Sequence, residues 1–282
     1  MSLSPSQPRR RYVFRAGRVV TRIGRTGLDF IEFLGGMGFL IRDTAASVPR
    51  GLVAKRGRRL GWRNLWAQMV RVGVRSIPIV CLVLFCIGAI LSLQMAPILR
   101  NYGAVAQTAN IISIATFREL GPLVSAIVLT GFAGASIAAE IGTMVVSEEI
   151  EALEAQAISP IRFLVLPRVV ATTLMMICVA IVGDLTGVMG GLFVASNFLG
   201  VSPEQYFRKT FEAVLMRDFI TGLIKAGCFG TLISSLACYL GLSVTGGAQG
   251  VGVATTRTVV LTIVALITVD LMFTAAFYYF GW

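Results

Sequence analysis

Long apolar runs, interrupted at intervals by short polar clusters, set the pattern of this chain. Ile77–Leu99 is 23 residues without a charge, long enough as a helix to cross about 30 Å of hydrocarbon. Pro78 and Pro97 sit near its ends, and Arg100 follows it. The next apolar stretch, 111–139, is 29 residues, roughly 43 Å at the helical rise and too long for one straight span. Gly121-Pro122 predicts a bend inside it. Further spans are predicted over Val169–Ser196, Phe219–Leu242 and Thr258–Trp282, with a loop over 197–217 and a Gly/Thr-rich loop over 242–256. That makes five spans with no visible internal repeat.

Three other segments have helical periodicity without spanning length. From Trp62 to Val74, large apolar residues fall at 62, 65, 66, 69 and 70, with Arg63, Asn64, Gln68, Arg71 and Arg75 opposite. One greasy and one basic face suit a helix lying in the membrane interface. Leu28–Ile41 reads as a second, looser interfacial segment, broken by Gly35, Gly36 and Gly38. The segment 147–158 is acidic: Ser147 is a candidate N-cap, Glu148, Glu149, Glu151 and Glu154 follow, and Ile150, Leu153, Ala157 and Ile158 form a stripe. It predicts a short amphipathic helix outside the membrane, between the second and third spans.

Composition turns a helical reading into a membrane one. The 282 residues are 56% hydrophobic and 14% charged, with mean hydropathy +0.81, whereas soluble domains carry about 25% charged residues. A soluble enzyme is excluded, and the unbroken runs do not alternate as barrel strands do. The chain is therefore read as an all-α integral membrane protein. Charge then gives an orientation. Residues 1–75 hold 16 Lys and Arg against 3 acids, and residues 76–282 hold 9 against 11. A basic segment over 1–60, ahead of the spans, predicts a cytoplasmic N-terminus on anionic lipid, and five spans then put the C-terminus outside. Nucleic acid is the weaker account of this charge. No apolar stretch of signal-peptide type follows the first arginines. The acid-free start leaves an organelle inner envelope as the lesser alternative to a bacterial inner membrane.

Candidate chemistry is sparse. There is no histidine, which removes imidazole-based metal sites, triads and proton relays. Cys81, Cys86, Cys178, Cys228 and Cys238 lie in apolar runs without a CxxC pair, so no metal site is expected. There is no Gly-Lys phosphate loop and no GxSxG nucleophile elbow, so no catalytic residue is assigned. The glycines of 246–252 invite a phosphate-loop reading but follow no soluble strand. Three ionisable groups fall within spans: Asp184, Lys225 and Asp270. Each should face protein or a wet cavity. Helical rise places Asp184 and Lys225 at similar depth, which makes an ion pair between them geometrically possible; local pairing or snorkelling of each is the alternative. Gly183-Gly187-Gly191, Gly222-Ala226-Gly230 and Gly131-Ala135-Ala139 are ridges for close packing. An acidic helix with an apolar stripe, on a chain with no soluble domain, needs a peripheral partner. A membrane subunit without an ATP site suggests an ABC-type permease.

Several blocks resemble the MlaE/YrbE family of ABC permeases, which work with MCE proteins in lipid transport. They are Arg118-Glu119-Leu120-Gly121-Pro122; Ala139 to Met144 continuing through Glu149–Glu154 to Pro160 and Pro167-Arg168; Gly222-Leu223-Ile224-Lys225; Thr245 to Gly252; Ala254-Thr255-Thr256-Arg257; and Asp270. Gln94 and Gly190-Gly191 also fit. They run in order over roughly 62–275, and residues 61–282 are assigned to the permease domain. The resemblance implies an amphipathic elbow helix and five spans, working as a homodimer. Implied partners are a cytoplasmic ABC ATPase, a periplasmic MCE-domain protein and, in some systems, a STAS-domain protein. The substrate would be phospholipid or a related lipid. No cofactor is expected on this chain, since ATP and Mg would sit on the ATPase. Ser147, Glu148, Glu149, Ile150, Glu151, Leu153, Glu154 and Ile158 match the coupling helix. Gln94, Arg118, Glu119, Asp184, Lys225 and Asp270 are the candidate lipid-pathway or intramembrane polar set. Gly246, Gly247, Gly250, Gly252 and Arg257 are assigned to a cytoplasmic loop. Where the family has Gly-Arg and an Arg before Ala-Thr-Thr-Arg, this chain has Gly131-Phe132 and Val253. The competing readings are an ion-coupled secondary transporter, against which the missing repeat speaks, and a non-transporting anchor for MCE proteins.

Overall fold

A computed structural model of the chain describes residues 28, 31–47 and 62–280. Among the described residues there is no strand, and five helices are long and apolar enough to cross a membrane. The protein is a multi-pass membrane protein. Helix α1 covers 31–47. Helix α2 (Trp62–Met69) passes through a π-helical turn, Val70–Val74, into α3 (Ile77–Asn101). The second span is assembled from α4 (Thr108–Ala115), α5 (Gly121–Leu129) and α6 (Ala135–Val146), joined by π-turns at Thr116–Leu120 and Thr130–Gly134. After α7 (Glu149–Ala155), a fourth π-turn at Ile161–Val165 leads into α8 (Leu166–Phe198). At the opposite end α9 (Pro203–Ala213) precedes α10 (Met216–Leu242), and α11 (Gly247–Tyr279) returns.

Helices α8 and α10 occupy the centre. In each, 61% of the most apolar stretch is buried, against 28% in the first span and 11% in the last. Small residues make the close approaches that lipid cannot drive by hydrophobicity. A side chain at Gly183 would collide with Leu84 and one at Gly187 with Thr116, and one at Gly230 would meet Met176 and Thr173. Two of the three predicted small-residue ridges are thus spent inside one copy. The third differs: nothing lies within 4 Å of the position a side chain at Gly131 would take. The main core gathers Leu129, Ile137, Ile141, Met176, Phe229, Ile233 and Leu266.

The structure corrects several boundaries. The predicted loop 197–217 contains α9, capped by Ser202, whose hydroxyl accepts from the Gln205 amide. Proline at N1 and a serine cap are helix-start signals. Tyr206 anchors α9 by donating to the Val188 carbonyl at 3.3 Å, and burial pushes its hydroxyl pKa upward. The predicted loop 242–256 shrinks to residues 243–246, because the glycines after it are helical: Gly247 opens α11 and Arg257 lies within it. Gly246 and Gly247 have φ of 88° and 69°, the left-handed backbone that ends one helix and starts the next. Where it is described, the predicted interfacial segment at 28–41 has one face packed on the bundle, with Leu40 in the core and Phe33 edge-on to the Tyr239 ring at 5.3 Å, while Leu28, Ile31, Leu34 and Phe39 are exposed. The amphipathic stripe of 62–74 is split, with Leu65 and Val72 buried while Trp66, Val70 and Val74 are exposed. The basic segment assigned to 1–60 lies outside the described residues apart from 28 and 31–47.

Candidate functional site

The π-turn at Thr116–Leu120 inserts one residue into the second span and turns Glu119 toward α10. Such insertions recur at functional positions. Helix α10 meets this turn at Gly222, where any side chain would collide with the Phe117 carbonyl. One turn further on, Lys225 reaches three partners. Its ammonium donates to Glu119 Oε2 at 2.5 Å, to Asp270 Oδ1 at 2.9 Å and to Thr274 Oγ1 at 2.9 Å. Thr274 in turn donates to Glu119 Oε1 at 3.0 Å. Asp270 and Thr274 are i and i+4 on α11, so they share a face. The Lys225 side chain is 1% exposed, Asp270 14% and Glu119 34%. Three spans are therefore tied by one ammonium and two carboxylates, and Glu119 is the exposed edge of the cluster. Pairing of this kind offsets the cost of placing charge within a bilayer.

Arg118, next in sequence, reaches the α9 end of α10: its Nη1 lies 3.4 Å from Asp218 Oδ1. Asp218 also accepts from the Leu215 amide at 3.1 Å, closing the start of α10.

Of the arrangements open to Asp184 and Lys225, the mutual pair does not form. Asp184 is 1% exposed, and neither carboxyl oxygen has a hydrogen-bond partner among the described residues. It occupies the space left by Gly121, where any side chain would collide with Asp184 Oδ1. Helical rise gave the right depth but not the direction: Lys225 looks toward α11 and the π-turn, Asp184 toward α5. Gln94 lies on an exposed face of α3 and makes no contact with the cluster.

At the other end of the second span, α7 is shorter than the predicted 147–158. Ser147 does not cap it: its hydroxyl donates back to the Thr143 carbonyl at 3.0 Å, and Glu148 enters the helix with φ of 60°. Glu148, Glu149, Glu151 and Glu154 are exposed, and none has an ion pair among the described residues. Ile150 and Leu153 are half-buried, and Ile158 is 36% exposed. The helix thus presents unpaired acids beside an apolar stripe that its own chain only partly covers. Nearby, Val244 and Val251 pack toward Gly142. A cavity of about 300 Å³ there is lined by Ser243, Thr245, Gln249, Gly250 and Arg257 among others. Gly252 faces open space.

Two groups were given no site role in the sequence reading. Thr274 completes the cluster, and its i+4 spacing from Asp270 was the available signal. Glu140 ends the apolar run of the second span and binds two arginines: Arg71 Nη1 at 2.8 Å and Arg168 Nη2 at 3.0 Å. A lone acid facing two arginines at the starts of other spans was the signal there.

Known proteins place this architecture. The family profile described as Permease MlaE matches residues 65–276. A "Probable ABC transporter permease protein" of Rickettsia felis is 38% identical over 260 residues, covering 92% of this chain and 98% of the relative. The "Intermembrane phospholipid transport system permease protein MlaE" of Haemophilus influenzae is 30% identical, covering 91% of this chain and 96% of the relative. The Arabidopsis thaliana "Protein TRIGALACTOSYLDIACYLGLYCEROL 1, chloroplastic" is also 30% identical, over 78% of this chain and 63% of the relative.

Proposed function

The chain belongs to the MlaE permease family of ABC transporters, and from that premise we propose that it moves phospholipid across or out of a bacterial inner membrane. It would work as a pair of copies with a separate ATPase on the cytoplasmic side and an MCE-domain protein outside. No cofactor belongs to this chain; ATP and Mg would stay on the ATPase. The α7 end is then cytoplasmic, as the basic N-terminal segment favours.

One observation carries the reading: the second span holds Glu119 of the charged cluster at one bend and leads directly into α7 at its end. Helix α7 supplies what a motor subunit needs to grip. Its four unpaired glutamates attract a basic groove, and Leu153 and Ile158 supply apolar surface to bury in it. The Thr116–Leu120 and Thr130–Gly134 π-turns are the points at which the span can flex when α7 is moved. At the far end of that path, Glu119 carries the exposed edge of the cluster, where a headgroup could displace part of the Lys225 network. The acyl chains would keep to the apolar surface around it.

The test is reconstitution with the ATPase, with ATP hydrolysis and movement of a fluorescent phospholipid measured together. Leu153→Arg puts a cation into the centre of the stripe. It is expected to abolish ATPase association and ATP-driven movement while the spans still fold, since Leu153 is outside the core. Native association and transport in Leu153→Arg would overturn the proposal. The buried, unpartnered carboxyl of Asp184 is the feature that favours an ion-coupled transporter instead. Lipid movement under an ion gradient with no ATPase present would establish that alternative.

A further inference from the structure

We infer that Glu140 is a positioning residue which, with Arg71 and Arg168, staples the root of α7 so that α7 and the α2 segment move as one body. The inference rests on the reading of α7 as the motor contact. Helix α7 hangs between the end of α6 and the π-turn that opens α8. Those two strands of chain are joined behind it by Glu140 of α6 and Arg168 of α8, at 3.0 Å. Arg168 is 5% exposed. It also donates through Nη1 to the Leu164 carbonyl of the π-turn at 2.9 Å, and its Nε has no partner among the described residues. Glu140 is thus the carboxylate that balances a buried cation, and that side of the staple is fixed.

The third member differs in kind. Arg71 lies in the π-turn after α2, its side chain is 48% exposed, and it takes the second oxygen of Glu140 at 2.8 Å. A half-exposed ion pair contributes little to folding, but here it bridges 69 positions of sequence and joins the segment ahead of the first span to the root of α7. Both oxygens of one carboxylate are engaged from two different elements. Displacement of α7 therefore reaches α2 through a rigid group rather than through packing alone. The Arg71 contact can be removed without stranding Arg168.

The experiment uses the complete complex in lipid nanodiscs and reads lipid moved per ATP hydrolysed. Arg71→Gln should still assemble and hydrolyse ATP, while lipid moved per ATP falls by about five-fold or more, the factor that 1 kcal/mol of lost coupling gives. Arg71→Lys should recover most of it, because an ammonium can still reach Glu140. Native lipid movement per ATP in Arg71→Gln would overturn the inference. A second measurement does not depend on Arg71→Gln folding. Spin labels at Ala67→Cys on α2 and Glu151→Cys on α7, with the native cysteines changed to serine, should keep one separation through the ATP cycle. A separation that changes with nucleotide overturns the staple by itself. If the native complex moves no lipid on ATP, the proposed function fails, whereas the spin-label result still decides the staple.

Discussion

Lys225 is the residue on which the membrane core depends electrostatically. It holds Glu119 and Asp270 in place, and its removal leaves two carboxylates facing each other, Asp270 largely shielded from water and Glu119 at the open edge. Losing one partner of a buried pair typically costs about 3–5 kcal/mol. Lys225→Met should fall at the upper end, because two acids are stranded, and denaturant titration of the purified protein in mild detergent measures it. Asp184→Asn should behave oppositely. Asp184 has no donor or cation within hydrogen-bond reach, so an amide of the same shape should change stability by less than about 1 kcal/mol. A loss in Asp184→Asn as large as in Lys225→Met would show that the carboxylate has a charged partner. The presence of costly groups at 184, 225 and 270 was legible in the sequence, because charge is rare in apolar runs. Which of them met was not, since pairing depends on helix rotation, and an unpredicted π-turn at Thr116–Leu120 resets that rotation for Glu119.

At the scale of elements, the ends of α7 explain both the success and the error of the periodicity argument. Of the predicted stripe Ile150, Leu153, Ala157 and Ile158, only the first two lie within the helix, which stops at Ala155 because the chain turns left-handed at Ala157, with φ of 56°. There the Ile158 amide donates to the Leu153 carbonyl at 3.0 Å and the Ala157 amide to Glu154 at 2.9 Å. This is the paired C-terminal closure that glycine normally makes. Alanine in that conformation costs about 1 kcal/mol. Ala157→Gly should therefore tighten the end of α7 by roughly that amount and slow hydrogen exchange at the Ile158 amide about five-fold. Unchanged or faster exchange would mean that the closure does not form. No pattern of apolar residues announces a left-handed alanine, and the same holds for α9. Its Ser202-Pro203 start was visible as a helix signal, yet its mixed charge read as loop because its buried face is only Tyr206 and Thr210. The five spans were legible because each needs little more than length and apolarity; the π-turns that bend them have no such signature.

The whole molecule presents two kinds of surface to the bilayer. Its central helices are the most covered by their own chain, whereas α11 and one face of the second span remain largely uncovered. On that face Gly131 and Phe132 are exposed, and Ala135 and Ala139 are half-buried. Lipid covers apolar side chains of any size equally well, so lipid contact gives no reason for a row of small ones. A second helix does, because small residues let backbones approach. The proposed pairing of two copies is therefore assigned to this row, with the same patch on both copies as a two-fold axis requires. Gly131 offers a clean test, since a side chain there meets nothing within 4 Å in its own chain. Gly131→Leu should leave the fold of one copy unchanged, with the same detergent stability as the native chain. It should shift the population toward single copies in native mass spectrometry from nanodiscs, and ATP-driven lipid movement should fall with the fraction of paired chains. If pairing is untouched while Gly131→Leu folds normally, the row faces lipid and the seam must run along the uncovered face of α11 instead.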